Sequence, residues 1–339
     1  MFRPLYFSLL LLATAGAQAD TTRIAFGSCI HQDKPAPILD AVVARQPDAF
    51  VLLGDNVYGD TTDMKELQRK YQKLGAKPGY QALKKAAPVY AIWDDHDYGQ
   101  NDAGKEYPQK AASKRIMLDF FEEPTDSPRR SRNDGNYASY WIEDNGHFIH
   151  LILPDLRWNR DALSKESTDD LIPGLKPANS GPYAATQGRT MLGETQWQWL
   201  EQELLKPADL TIIGSSIQLL PEFTGWESWA NFPDDRSRLI QFIENNRIAD
   251  VVFISGDTHW GEVSRTFVNH PQPLWEVTSS GLTEEWKEIS PNRHRLGEGF
   301  SQVNFGELDI NWAAGEVGLS LFDVSGQPLE QYTMILSER

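Results

Sequence analysis

The chain has 339 residues, with 48 acidic against 32 basic side chains and a formal net charge of −16. That acidic excess, with no basic run longer than Arg129-Arg130-x-Arg132, excludes tracking along nucleic acid, where affinity comes from neutralising phosphates. A composition of 40% hydrophobic residues with 11 tryptophans and no low-complexity tract excludes a disordered chain and suits a large packed core.

Along the chain, Arg3, the apolar run Leu5 to Ala15 and Ala17-Gln18-Ala19 have the charged, apolar and small-x-small pattern of a secretory signal peptide. The apolar run is too short to span a bilayer, which takes roughly 20 residues. The expectation is therefore a signal peptide at 1–19, a single domain at 20–339, a periplasmic or secreted location and no stable membrane anchor. Short apolar runs rich in Val, Ile and Phe then alternate with amphipathic stretches, the pattern of strands buried by flanking helices. Strands are predicted at Arg23–Phe26, Ala49–Leu53, Val89–Trp93, Phe148–Leu153, Leu210–Ile213, Val251–Ser255 and Leu274–Thr278. Helices are predicted at Met64–Gly75, Lys110–Phe121, Glu194–Leu205 and Asp234–Asn246. The tail alternates apolar and polar residues at Glu307–Trp312, Glu316–Phe322 and Glu330–Leu336, as half-exposed antiparallel strands do. The fold class is α/β: a mixed two-sheet sandwich covered by helices.

Six of the predicted strands run directly into polar residues: Gly-Ser-Cys29, Gly-Asp55, Asp94-Asp95-His96, Pro-Asp155, Gly-Ser215-Ser216 and Gly-Asp257. In open α/β sheets the ligand sits beyond the carboxyl ends of the strands, so these groups should converge in space. Cys29 is the only cysteine. In an oxidising compartment it has no internal disulfide partner, and metal ligation would protect the thiol from oxidation.

In V-L-L-G-D-N-V-Y-G-D, Asp55 and Tyr58 can both face the site, and a carboxylate there can bridge two cations. A phenol deprotonates usefully beside a strongly Lewis-acidic cation, which makes the motif a candidate ferric site. Taken alone it reads more readily as a strand-to-turn Asp beside a packed Tyr. In A-I-W-D-D-H-D-Y-G-Q-N-D, three carboxylates surround His96, which calls for a cation or a charged imidazole; His96 could protonate a leaving group and Asn101 could offer an amide oxygen. In V-F-I-S-G-D-T-H-W, Asp257 and His259 are spaced to reach adjacent metals.

Together, G-S-C29, G-D55-N-V-Y58, W-D-D-H96-D-Y-G-Q-N101 and S-G-D257-T-H259-W resemble the ordered motifs of the PhoD-like branch of the metallophosphoesterases, the alkaline phosphatase D family. The resemblance continues through G-N-Y137-A-S, P-D155-L-R157, M-L-G-E-T-Q-W-Q-W-L, F-P-D-D-R236 and E-V-T-S-S-G281. It implies a four-layer calcineurin-like sandwich, with two mixed sheets flanked by helices, and a dinuclear metal centre. Carried over by position, Cys29, Asp55, Tyr58 and His259 would hold Fe(3+). Asp55 would bridge to a divalent cation, Ca(2+) before Mg, Mn or Zn, completed by Asn101 and Asp257. Thiolate, phenolate and imidazole suit the ferric ion, and an all-oxygen set suits the harder cation. With the first strand following the expected signal peptide within about five residues, the longer members' N-terminal β domain is expected to be missing.

The implied chemistry is attack by a metal-bound hydroxide on a small phosphate ester, monoester or diester. His96 is the candidate for protonating or stabilising the leaving oxygen, with Asp94, Asp95 or Asp97 orienting it. Arg157 is either a clamp on a phosphate oxygen or an ion pair with Asp155. Ser216 or Gln218 stands where other metallophosphoesterases carry a metal-binding His. Trp158, Trp226, Trp229, Trp260 and Trp286 lie near the motifs, as packing residues or as the walls of a cleft for a lipid or aromatic group. The competing readings are a phospholipase-type phosphodiesterase, an exported metal-binding protein without turnover, and a structural or adhesive domain of the same fold.

Overall fold

A computed structural model describes residues 21–164, 183–222 and 226–337, so the expected signal peptide at 1–19 lies outside the described residues. The strands are β1 (Thr21–Gly27), β2 (Ala49–Leu53), β3 (Val89–Ile92), β4 (Ala138–Asp144), β5 (His147–Leu153), β6 (Leu210–Ser215), β7 (Val251–Ser255), β8 (Gly261–Thr266), β9 (Leu274–Ser279), β10 (Arg295–Phe300), β11 (Asn304–Asn311), β12 (Glu316–Asp323) and β13 (Pro328–Ile335). The helices are α1 (Ile38–Ala44), α2 (Met64–Gly75), α3 (Pro78–Ala86), α4 (Asp95–Tyr98), α5 (Lys110–Phe120), α6 (Pro128–Ser131), α7 (Glu194–Leu204) and α8 (Pro233–Asn246). Every predicted strand and helix is present, within a few residues at each end. The elements α1, α3, α4, α6, β4, β8 and β10 were not predicted.

Two mixed sheets form. One has the order β13-β12-β11-β1-β2-β3, the other β10-β8-β9-β7-β6-β5-β4. Within the first, β1, β2 and β3 are parallel, and β11, β12 and β13 extend it as an antiparallel meander. Within the second, β5, β6, β7 and β9 are parallel. The parallel strands β2, β6, β7 and β9 are buried along their whole length, which is why they read as apolar runs; β13 shows mostly intermediate and exposed positions, hence its alternation.

One hydrophobic cluster joins the facing sides of the sheets, including Phe26, Phe50, Leu52 and Leu319 from the first and Leu153, Ile212, Ile254 and Val277 from the second. The sheets meet closely at Gly214 of β6, where an added Cβ would lie 3.0 Å from Leu53 across the interface and 2.5 Å from Leu153. A second cluster packs Trp197, Leu200 and Leu204 of α7 and Leu239 and Ile243 of α8 against Ile213, Val251 and Phe253. Helix α2 has the simplest local logic: Asp63 caps it by accepting from Lys65 N at 2.9 Å, and Leu67, Tyr71 and Leu74 repeat on one buried face. Among the described residues no helix is long and apolar enough to cross a membrane.

Candidate metal centre

The parallel strands of both sheets deliver their carboxyl ends to one place. Cys29 follows β1, Asp55 follows β2, Asp94 to His96 follow β3, Arg157 follows β5, Ser216 follows β6, Asp257 and His259 follow β7, and Ser280 follows β9. Leaving a strand abruptly while turning a short side chain inward takes unusual backbone. Cys29 (φ 60°), Asp55 (φ 49°), Asp257 (φ 71°) and His259 (φ 61°) all sit in the left-handed region. Each such residue costs on the order of 1–3 kcal/mol unless its surroundings over-determine it, and such residues gather at functional sites. Gly54 (φ +101°) makes the turn into Asp55 possible, since a Cβ there would lie 2.4 Å from that of Asp94.

The side chains converge. Donor atoms of Cys29, Asp55 and His259 lie within 4.8 Å of one another, as do those of Asp55, Asp95 and His96, and of Asp94, Asp95 and Asp257. The Cys29 thiol is 3.4 Å from Asp55 Oδ2, with the hydroxyls of Ser280 at 3.1 Å and Ser28 at 3.3 Å. Tyr58 OH is 3.0 Å from His259 Nε2, and its ring packs on those of His31 and His96. Asp55, Asp95, His96, Asn101, Asp257 and His259 line a cavity of about 250 Å³, walled on its apolar side by Trp226, Trp260 and Trp286.

Burial drives the electrostatics. It pushes the Cys29 thiol well up, with the charge of Asp55 adding to the effect. It raises the Asp55 and Asp257 carboxyls too, and the neighbouring aspartates raise them further. Tyr58 moves up for the same reason. Burial pulls His96 down, but the charges of Asp55 and Asp95 and the bond to Asp60 outweigh it and lift the imidazole to about 11. Asp95 is opposed by burial but lowered to about 2 by Arg157 and His96. Two carboxylate oxygens of this cluster, Asp55 Oδ1 and Asp95 Oδ1, are buried without a hydrogen-bond partner, the latter 3.8 Å from Arg157 Nη2. A set of crowded anions with orphaned oxygens, a thiol, a phenol and an imidazole fits cations.

The orienting partner of His96 differs from the expectation. Its Nδ1 lies 2.8 and 2.9 Å from the two oxygens of Asp60, while Asp97 is occupied by the backbone N–H groups of Asp94 and Asn56. Asp95 accepts from Asp102 N at 2.7 Å, and Asp94 is bound to Arg157 and Ser216. Asp60, in a loop before α2, carried no spacing signal that ties it to a histidine 36 positions on.

The ion-pair partner of Arg157 differs from the expectation as well. It is fully buried beneath the cavity and does not line it. Its Nε donates to Asp94 Oδ1 and its Nη1 to Glu227 Oε2, each at 2.5 Å. Asp155, the alternative partner, instead accepts from Trp93 Nε1 and from the backbone N–H groups of Arg157 and Trp158. Arg157 thus serves as an internal counter-ion, reinforced by Arg160 at 3.1 Å from Glu227. Ser216 donates to Asp94 and Gln218 to Glu262 and Thr278, so neither lines the cavity. Trp158 and Trp229 are packing residues. Glu227 and Asp102 line the cavity but were not singled out as site residues; Asp102 closes the quoted aspartate-rich loop, while Glu227 stands in no motif.

Two mixed sheets with donor groups gathered at their carboxyl ends define a protein of the metallophosphoesterase fold. A solved structure of PhoD superposes with a TM-score of 0.66 at 17% identity, covering 94% of this chain and 69% of that one. A dimetal phosphatase from Danio rerio superposes with a TM-score of 0.59 at 14% identity, covering 94% of this chain and 100% of the other. At such identities these likenesses establish the fold. The family model described as PhoD-like phosphatase matches residues 24–310, and the chain belongs to that family. Alkaline phosphatase D of Bacillus subtilis (strain 168) is 23% identical over 312 residues, which is 80% of this chain and 50% of that protein. The chain thus spans about half the length of that relative.

Proposed function

We propose that the chain is an exported phosphoesterase with a dinuclear metal centre, acting on small phosphate monoesters, diesters or both. The observation that carries this reading is the convergence of Cys29, Asp55 and His259, from the ends of three strands in two sheets, on one point beside Asp95 and Asp257. Cys29, Asp55, Tyr58 and His259 would hold a ferric ion. Asp55 would be shared with a divalent cation, Ca(2+) before Mg, Mn or Zn, held also by Asn101 and Asp257. When bound, two such cations lower the pKa of water and neutralise charge on the phosphoryl oxygens.

The chain's own residues do the rest. Asp60 grips His96 Nδ1 and leaves Nε2 as the nitrogen that carries a proton toward the leaving oxygen. Asp95, kept ionised by Arg157, helps hold His96 charged. Trp226, Trp260 and Trp286 exclude water from one side of the cavity. The same aromatic wall favours, as a second reading, a diester whose leaving group is apolar, such as a phospholipid.

Asp55→Asn should reduce aryl phosphate turnover by well over the roughly 100-fold that loss of an outer-shell partner costs, with an unchanged far-ultraviolet spectrum. Undiminished turnover would remove the shared carboxylate and with it the centre. Concentrated protein should carry iron and a visible phenolate charge-transfer band that Tyr58→Phe abolishes. A panel of aryl phosphate, bis-aryl phosphate and phospholipid separates the two substrate readings. N-terminal sequencing of periplasmic protein should begin at Asp20.

A further inference from the structure

A second cavity, of about 190 Å³, opens between α5 and the segment around α6 and shares no lining residue with the acidic one. Four of the side chains that line it are Lys114, Arg115, Arg130 and Arg132, joined by Asn133 and the indole of Trp158; none of the lining residues is acidic. In a chain with 48 carboxylates for 32 basic groups, such a cluster is not the result of a shortage of anions.

The cations are only partly satisfied. Arg130 pairs with Asp119 at 2.6 Å and donates to the carbonyls of Leu118, Glu123 and Pro124. Arg132 donates to Tyr137 O, stacks on the Tyr137 ring and keeps Asp134 at 3.9 Å. Lys114, 4% exposed, reaches only two carbonyls, those of Arg132 at 2.5 Å and Gly135 at 2.7 Å, and forms no ion pair. An ammonium has three protons to donate, so one is left over. Among the described residues Arg115 has no side-chain partner. Lys110 and Lys114 both lie over the face of Trp158, at 5.1 and 5.7 Å, which offsets part of their mutual repulsion. Burial, with the charges of Arg129 and Arg132, lowers Lys114 to about 8 against the opposing charges of Asp155 and Asp134. Nothing in the proposed chemistry uses these groups.

We propose that this cavity is a second, non-catalytic oxyanion site that takes a compact phosphate group. Guanidinium forks match phosphate oxygens bidentately, and the Asn133 amide adds a neutral donor. A drug-sized ligand needs roughly 300 Å³ or more, so this volume favours the phosphate group itself over a bulky ester. The phosphate can arrive free or carried on a small ester, and the shared recognition chemistry is the same.

The test is calorimetric titration of the protein as purified with inorganic phosphate, and separately with methylphosphonate as a stand-in for ester-borne phosphate. The wild type should bind one equivalent more than Arg115→Glu, an exposed position, and more than Ala111→Phe, which fills the cavity without changing charge. Arg115→Glu should weaken the extra equivalent by roughly tenfold or more. Both variants should retain wild-type inhibition of aryl phosphate hydrolysis by phosphate, which reads the acidic cavity. Tighter binding of phosphate or of methylphosphonate tells which source the site prefers. Identical isotherms for the three proteins, or an extra equivalent displaced equally by chloride at matched ionic strength, would overturn the site.

Discussion

Two sets of carboxylates stand at the acidic cavity, and the chain treats them in opposite ways. Asp94 and Glu227 are neutralised from within: Arg157 donates to both, Arg160 stands beside Glu227 and Ser216 donates to Asp94. Asp55 and Asp257, with the Cys29 thiol, form no ion pair with any Lys or Arg among the described residues, and burial drives all three toward their protonated forms. A fold that supplies arginines a few ångströms away could have supplied one here. The difference separates carboxylates that complete the structure from carboxylates kept open for a cation. It also follows the backbone, since Asp55 and Asp257 take left-handed conformations and Asp94 does not.

The strongest way to break this division is to remove the internal counter-ion. Arg157→Met would leave Asp94 buried with Ser216 as its remaining partner and no cation, and Glu227 with Arg160 alone, at a cost of roughly 3–5 kcal/mol. Urea denaturation should show that loss, with a midpoint far below that of Asp55→Asn, which removes a carboxyl that no Lys or Arg pairs. A loss under about 1 kcal/mol would mean that Arg157 is not structural and would reopen its reading as a phosphate clamp.

The sequence made one side of this comparison far more legible than the other. Cys29, Asp55, Asp257 and His259 stand directly after apolar runs, and a run of buried parallel strand is readable because both of its faces are covered. The internal network was hidden, because Arg157 to Glu227 spans 70 positions and Glu227 follows no predicted strand. For its arginine the sequence offered only the neighbouring Asp155 as an ion partner, beside the reading as a phosphate clamp; the actual partners, Asp94 and Glu227, lie 63 and 70 positions away. The unpredicted elements were lost for local reasons: α1 is only seven residues long, and β10 contains two glycines and has no buried position. The Lys and Arg residues of the second cavity come from two helical segments and the loop after them; the run Arg129-Arg130-x-Arg132 was visible, but no spacing tied it to Lys114 and Arg115.

A smaller effect sharpens the division inside the cavity itself. Asp60 is an exposed carboxylate whose visible task is to hold His96 Nδ1, and it also accepts from Asn101 N at 3.0 Å. Asp60→Asn should lower kcat for an aryl phosphate by roughly 10–100-fold while leaving KM and thermal stability near wild type, because it acts through the imidazole. A matched rise in KM with kcat unchanged would instead place Asp60 in substrate binding. His96→Gln sets the ceiling for the effect, roughly 10²–10⁴-fold for a positioned acid.

The smallest effect tests whether compensation at the protein's edge behaves like compensation in its interior. Glu203 on α7 accepts from Lys206 Nζ at 2.7 Å to each oxygen and from Ser139 Oγ at 2.9 Å, with His150 Nε2 at 3.1 Å. Burial opposes its ionisation, yet the bonds to His150, Lys206 and Ser139 prevail and lower it from 4.5 to about 2. A carboxyl depressed in the folded state holds fewer protons there than in the unfolded chain. Its contribution to stability is therefore complete above about pH 4.5 and is lost as the pH falls toward about 2. Lys206 is half-exposed, so solvent screens the pair, and Glu203→Gln should cost less than about 1 kcal/mol at neutral pH. The melting temperatures of wild type and variant should converge as the pH is lowered through that window. A gap that stays constant would show that Glu203 acts by packing alone, and that only the arginine-bound interior carboxylates are held by charge.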